Sequence, residues 1–223
     1  MHVTTIGLDL AKNVFQVHGI TNDGEVAFNR PLRRAQVLTF FEKLEPCLVG
    51  IEACGTSHHW ARELIKLGHN VKLIPPVYVK PYVKRGKTDA ADAEAICEAV
   101  TRPTMRFVEV KSPEQQAILS LHRARDLVVR QRTQTINMLR CLLAEFGIIF
   151  AQGVGHAVRF AKQTIQGQVP ELPPVALETV TDLSEQLLSL HTRVLWYGRK
   201  LTQASKSEPR IALLQTIPGI GPI

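Results

Sequence analysis

Three features of the 223-residue sequence predict an α/β sheet domain followed by long helices. Short β-rich apolar runs alternate with helically spaced segments through the first hundred residues. The 33 residues from 114 to 146 contain neither proline nor glycine, so they read as one uninterrupted helix. Farther on, Leu177, Val180, Leu183, Leu187, Leu190, Val194, Tyr197 and Leu201 recur every three or four positions, as in a coiled-coil seam.

Taken in order, "VTTIGLDLA" and "NVFQVHGI" read as two strands, and "TNDG" supplies the turn into a third, "EVAFNRPL". Tight connections make these an antiparallel meander. "RRAQVLTFFEKL" has helical spacing in Val37, Phe40, Phe41 and Leu44, and "CLVGIEA" fits a central strand. "TSHHWARELIKLG" reads as a helix with Gly68 at its C-terminus, and "HNVKLIPP" as a strand ended by Pro75 and Pro76. The order β-β-β-α-β-α-β-α is that of the ribonuclease H type of fold, although spacing alone does not separate it from other α/β orders.

Ser112 and Pro113 suit the N-cap and first position of the next helix. Helix from there to Phe146 would be roughly 50 Å long and needs a partner along its length. Its stripe of Leu121, Ala124, Val128, Ile136, Leu139, Leu143 and Phe146 is interrupted by Arg132. The partner is the later seam, with pairing inside one chain, between chains, or both. The Gly- and Pro-rich stretch 147–174 is a connector holding a short helix around "GHAVRFAKQTI". Three regions are therefore expected: a sheet domain over 1–108, a helical coiled-coil region over 109–208, and the start of a further element over 209–223.

The formal net charge of +7 and pI near 9.4 favour a polyanionic partner. The cysteines Cys47, Cys54, Cys97 and Cys141 form no CxxC pair, which argues against a zinc site of the usual spacing and for a reducing, intracellular setting. The N-terminus lacks the basic and apolar regions of a signal peptide, and no apolar run reaches eighteen residues, so no membrane association is expected. No HExxH or P-loop pattern is present, and the adjacent His58 and His59 are badly placed to share a ligand.

The carboxylates carry more information. In "TIGLDLAK", Asp9 lies in an apolar strand, where a carboxylate either faces water on a sheet edge or needs a partner or a cation. Glu52 ends the run "LVGIE", where exposure and a role at the strand tip are both open. In "GKTDAADAEAI", Thr88 is a fair N-cap with Asp89 and Asp92 in the first turn. The helix dipole alone favours acids there. The two also share one helix face. Four carboxylates converging from two strand ends and a helix start would hold one or two hard divalent cations, magnesium or manganese.

"IGLDLAKNVFQVHGI", "VGIEACGTSHHWARELIKLGHNVKLIPPVYVKPYVKRGKTDAADAEAI" and "LLQTIPGIGPI" closely resemble the DEDD-type transposases of bacterial insertion sequences whose members are guided by a bridge RNA. The resemblance covers essentially the whole chain and is strongest over residues 5–100. It implies a RuvC-like, ribonuclease H-like mixed sheet in which Asp9, Glu52, Asp89 and Asp92 are the catalytic acidic residues and bind magnesium. It also implies DNA and a structured guide RNA as partners, and a dimer or tetramer formed through the helical region. A bacterial cytoplasmic, nucleoid-associated location follows from the same likeness. In that family a C-terminal domain after the "PGIGP" element supplies a serine that joins covalently to DNA. No serine here matches that motif, so the chain is expected to be an N-terminal portion, without a nucleophile of its own. Rival readings are a magnesium-dependent nuclease that resolves DNA junctions and a non-catalytic module binding RNA or DNA. An actin-like phosphotransferase also starts on an aspartate-bearing strand, but no later glycine-rich phosphate motif supports it.

Lys72, Lys80, Lys84, Arg85 and Lys87 stand beside the acidic residues in sequence, and a basic rim around an acidic centre suits a phosphodiester. Tyr78 and Tyr82 either stack on bases or pack on the domain. Arg123, Arg125, Arg130, Arg132 and Arg140 decorate the first long helix with only Asp126 among them, and Arg159 and Lys162 lie in a stretch without acids. This one-sided charge favours contact with nucleic acid over a simply solvated surface.

Overall fold

A computed structural model describes residues 2–84, 88–206 and 208–221. The chain divides into two compact units, Met1–Ser112 and Pro113–Ile223. The first contains β1 (Val3–Asp9), β2 (Val14–Thr21), β3 (Val26–Arg33), α1 (Val37–Glu42), β4 (Leu48–Glu52), α2 (Ser57–Lys66), β5 (Asn70–Ile74), the single turn α3 (Pro76–Val79) and α4 (Asp89–Val100). The second contains α5 (Pro113–Ala144), α6 (Val154–Ile165), α7 (Pro174–Ser205) and α8 (Pro209–Leu214).

The five strands form one sheet in the order β3-β2-β1-β4-β5. β1, β2 and β3 are antiparallel neighbours, while β4 pairs parallel with both β1 and β5. This is the ribonuclease H-like arrangement. It puts β1 at the centre of the sheet, which removes the edge-strand reading of Asp9. The predicted "TNDG" turn forms, with Thr21 N–H donating to Glu25 O at 2.9 Å and Gly24 at φ 81°. Gly68, at φ 92°, follows the end of α2 as expected of a helix-terminating glycine.

Alternation along the strands sorts side chains to the two faces of the sheet. On one face, Ile6, Leu8, Phe15 and Val17 pack with Phe41 of α1 and Trp60 and Leu64 of α2. Phe15 meets Trp60 edge to face at 5.0 Å between centroids. His69, buried just before β5, accepts from Cys47 N–H through Nδ1 at 3.3 Å, and its Nε2 lies 3.1 Å from Phe41 O. That imidazole ties the start of β4 to the end of α1.

The other face is covered by α4, whose Ala95, Ile96, Ala99 and Val100 pack with Ile74 and Val79. Here the sheet presents Gly7 and Gly50, which are register partners on β1 and β4. A Cβ on Gly7 would overlap Ala93 O and Cys97 N of α4, and one on Gly50 would stand 2.8 Å from Cβ of Val100. The helix therefore rests directly on the main chain of two strands. Thr88 caps it as predicted, its Oγ1 accepting from Ala91 N–H at 3.3 Å.

In the second unit, α5 and α7 are each 32 residues long and pack along one another. Their seam is not continuous. Ile136, Leu139 and Leu143 of α5 cluster with Val180 and Leu187 of α7 and with Ala157 and Ala161 of α6, whereas Val128, Leu190 and Val194 form a separate cluster. Two predicted stripe residues stay largely exposed: Leu177 in the first turn of α7, and Phe146, because α5 ends at Ala144 and Gly147 turns the chain at φ 72°. Among the described residues, no helix is long and apolar enough to cross a membrane.

Substituting Gly7→Ala is expected to cost about 1–3 kcal/mol in urea unfolding, since α4 must lift from the sheet. Gly55→Ala, where a Cβ meets nothing within 4 Å, should stay within about 0.5 kcal/mol of the parent chain.

Candidate metal and nucleic-acid site

Because Gly7 and Gly50 face α4, so do Asp9 and Glu52, each two residues farther along its strand. The two carboxylates end adjacent parallel strands, and Leu8 and Ile51, the residues before them, are register partners. Asp89 and Asp92 occupy the first turn of α4, and Asp92 directly precedes Ala93, whose carbonyl lies against Gly7. The helix thus carries its two aspartates toward the strand ends.

The charges are close enough to act on one another. Burial, followed by the charges of Asp92, Asp89 and Glu52, pushes the Asp9 carboxyl from its ordinary 3.8 up to about 6, against a hydrogen bond from the Leu10 backbone that favours the ionised form. Burial and Asp92 also raise Glu52. Among the described residues, no ion pair joins a base to any of the four. Nor, among the described residues, do three His, Cys, Asp or Glu side chains stand close enough to hold a metal ion. The arrangement is one of coupled but unclosed carboxylates. An all-oxygen set of carboxylates suits a hard divalent cation, whose charge would offset the repulsion among them.

Cys54, which the residue pattern did not point to, belongs to the same neighbourhood. Burial and the charges of Glu52 and Asp9 raise its thiol above the ordinary range. Its position two residues after Glu52 was the available signal.

The basic residues divide by what they touch. Lys80 is exposed in the turn after α3. Lys84 is exposed but ion-paired with Glu94 of α4, and Lys72 lies over the Phe107 ring at 5.7 Å. Arg85 and Lys87 lie outside the described residues. Tyr82 packs with the α4 core, while Tyr78 remains 40% exposed. On α5, Arg123 is exposed, Arg130 pairs with Asp126 at 2.6 Å, and Arg140 donates to Ala151 O at 2.9 Å while covering the Phe150 ring. Arg125 and Arg132 are partly buried, whereas Arg159 and Lys162 are exposed on α6. Sequence spacing did not single out His191, which meets Arg132 across the helix seam at 3.3 Å. It stands four residues after Leu187 in the apolar stripe, a polar interruption opposite another.

The sheet order and the helix seated on it define a ribonuclease H-like protein with a helical extension. Residues 6–148 match the family model described as transposase, the DEDD transposases of the IS110 type, and the chain belongs to that family. It is 49% identical over 224 residues to the "Probable family 20 transposase" of Pseudomonas aeruginosa, covering 100% of this chain and 66% of that protein. It is 39% identical over 222 residues to the transposase for insertion sequence element IS1328 of Yersinia enterocolitica, covering 100% of this chain and 66% of the relative. With the transposase for insertion sequence element IS1111A of Coxiella burnetii it shares 36% over 219 residues, 98% of this chain and 60% of the other. The chain thus spans 60–66% of the length of these relatives.

The raised carboxyls set the pH dependence of the cation-free chain. Asp9 holds its proton more tightly folded than unfolded, so its contribution is fully present below about pH 4 and is lost as pH rises through about 6. Urea midpoints measured without divalent cations should therefore fall across that window. Asp9→Asn should raise the midpoint at pH 7 and flatten the fall.

Proposed function

We propose that this chain supplies the acidic centre and a nucleic-acid-holding surface of an insertion-sequence transposase, acting on a DNA phosphodiester with magnesium or manganese. The observation that carries this reading is the mutual action of Asp9, Glu52, Asp89 and Asp92, brought to one end of the sheet by a helix resting on two glycines. Strand register sets the backbone positions of Asp9 and Glu52, and the capped helix start sets those of Asp89 and Asp92, so a cation has only to draw the side chains together. A divalent cation bound there would neutralise charge on phosphate oxygens and favour ionisation of an attacking oxygen. Lys80 and Lys84 supply cations for phosphates flanking that centre, and the arginines of α5 give the helical unit a basic surface of its own. No residue of this chain is assigned as the nucleophile of strand exchange.

The family likeness supports a structured guide RNA as second partner, association of subunits through α5 and α7, and a place beside DNA in the bacterial cytoplasm.

Magnesium should raise the thermal midpoint of the parent chain at pH 7 in proportion to its binding. Asp9→Asn and Asp92→Asn should each weaken that binding at least tenfold in calorimetric titration. Unchanged binding in both variants would remove the metal centre. Cleavage of a four-way DNA junction by this chain and magnesium alone would favour the junction nuclease instead.

A further inference from the structure

The seam between α5 and α7 is broken where Arg132 and His191 meet, between the cluster of Val128, Leu190 and Val194 and the one that includes Ile136 and Leu187. An arginine among apolar neighbours is costly unless a counter-charge accompanies it. Among the described residues it has none. Its Nε is buried without a hydrogen-bond partner, and so is that of Arg125, seven residues away on the same side of α5. Among the described residues, neither forms an ion pair.

The donors and acceptors at the break are unequal. Arg132 can only donate, so the Nδ1 of His191 facing it at 3.3 Å accepts, which leaves His191 Nε2 carrying a proton to offer. Burial and the charges of Arg132 and Lys162 hold His191 toward its neutral form, and burial and Arg125 lower Arg132. Among the described residues, no ion pair to an acid involves either. Beyond Arg125 an open groove of about 470 Å³ continues between Arg125 and the last turns of α7, lined also by Arg199, Thr202, Gln203 and Lys206. It contains three cations and no acid.

We propose that the α5–α7 seam is a track for one nucleic-acid strand, with one backbone phosphate held by Arg132, His191 and Lys162 and another by Arg125, Arg199 and Lys206. The proposal rests on the nucleic-acid reading above and names where in the helical unit the strand lies. A phosphodiester supplies two acceptor oxygens and one negative charge, which is what a cationic, donor-rich set with two buried and unpartnered guanidinium Nε atoms lacks. Seven residues of helix separate Arg132 from Arg125 by roughly 10 Å, so one strand can engage both. In this account Arg132 weakens the empty helical unit and is repaid when phosphate arrives.

The test is binding of a labelled DNA duplex and of a labelled RNA hairpin by the full chain across a salt series. Arg132→Met should unfold at the same or a higher temperature than the parent chain, because an apolar residue repairs the seam. It should bind whichever nucleic acid the parent binds about tenfold more weakly, with the salt slope reduced by about 1. Lys162→Gln, an exposed change that leaves the seam intact, should lose a similar slope, and Arg132→Lys should restore part of the affinity. Parent-like affinity and slope in both Arg132→Met and Lys162→Gln, while the parent binds, would overturn the track and leave the broader reading standing. A parent chain that binds neither nucleic acid at low salt would overturn both.

Discussion

Helix α4 lies against the main chain of β1 and β4, with nothing between because Gly7 and Gly50 carry no side chain. Most of what distinguishes this molecule depends on that close approach. A helix held off by ordinary side chains would sit several ångströms higher on the sheet, near the usual sheet-to-layer spacing of about 10 Å. Asp89 and Asp92 would then be lifted away from Asp9 and Glu52. The same two glycines leave the alternate residues Ile6, Leu8, Val49 and Ile51 on the opposite face, where they build the larger core. One constraint thus serves packing on one side and approach of charge on the other.

Both units hold charge in surroundings that do not neutralise it. At the sheet end the charges are negative, and the cost appears as carboxyls that resist ionisation. In the helical unit they are positive, and the cost appears as buried guanidinium nitrogens without partners. Structural ion pairs elsewhere in the chain, such as Glu98 with Arg102 or Asp126 with Arg130, are complete within a helical turn and exposed. The contrast is physical: closed pairs need nothing more, whereas one-signed sets favour a ligand of opposite sign. Divalent cation at one and phosphate at the other are the simplest complements.

Much of the fold was legible because its signals are local. Thr88 caps α4, "TNDG" turns, Gly68 ends α2, and α5 runs from Pro113 as its freedom from glycine and proline required. The seam of α7 was legible too, with Val180, Leu187, Leu190, Val194 and Leu201 buried. Residue types alone also nominated the four carboxylates, since acids in apolar strands and paired acids at a helix start are locally unusual or locally explicable. They left open whether Asp9 faced water at an edge. That depends on strand order, a property of pairings between residues far apart in the chain.

The sequence by itself determined the main elements, their order, the excess of positive charge and the acidic residues at two strand ends and a helix start, because propensity, periodicity and capping act over a few neighbouring positions. Only the tertiary structure decided that β1 is central, that α4 touches strand backbone, and that Cys54 joins the acidic neighbourhood. It also decided that the Arg132 interruption in one helix meets His191 in another. Those facts arise where segments distant in sequence share one volume, and excluded volume and desolvation then select which charges face each other.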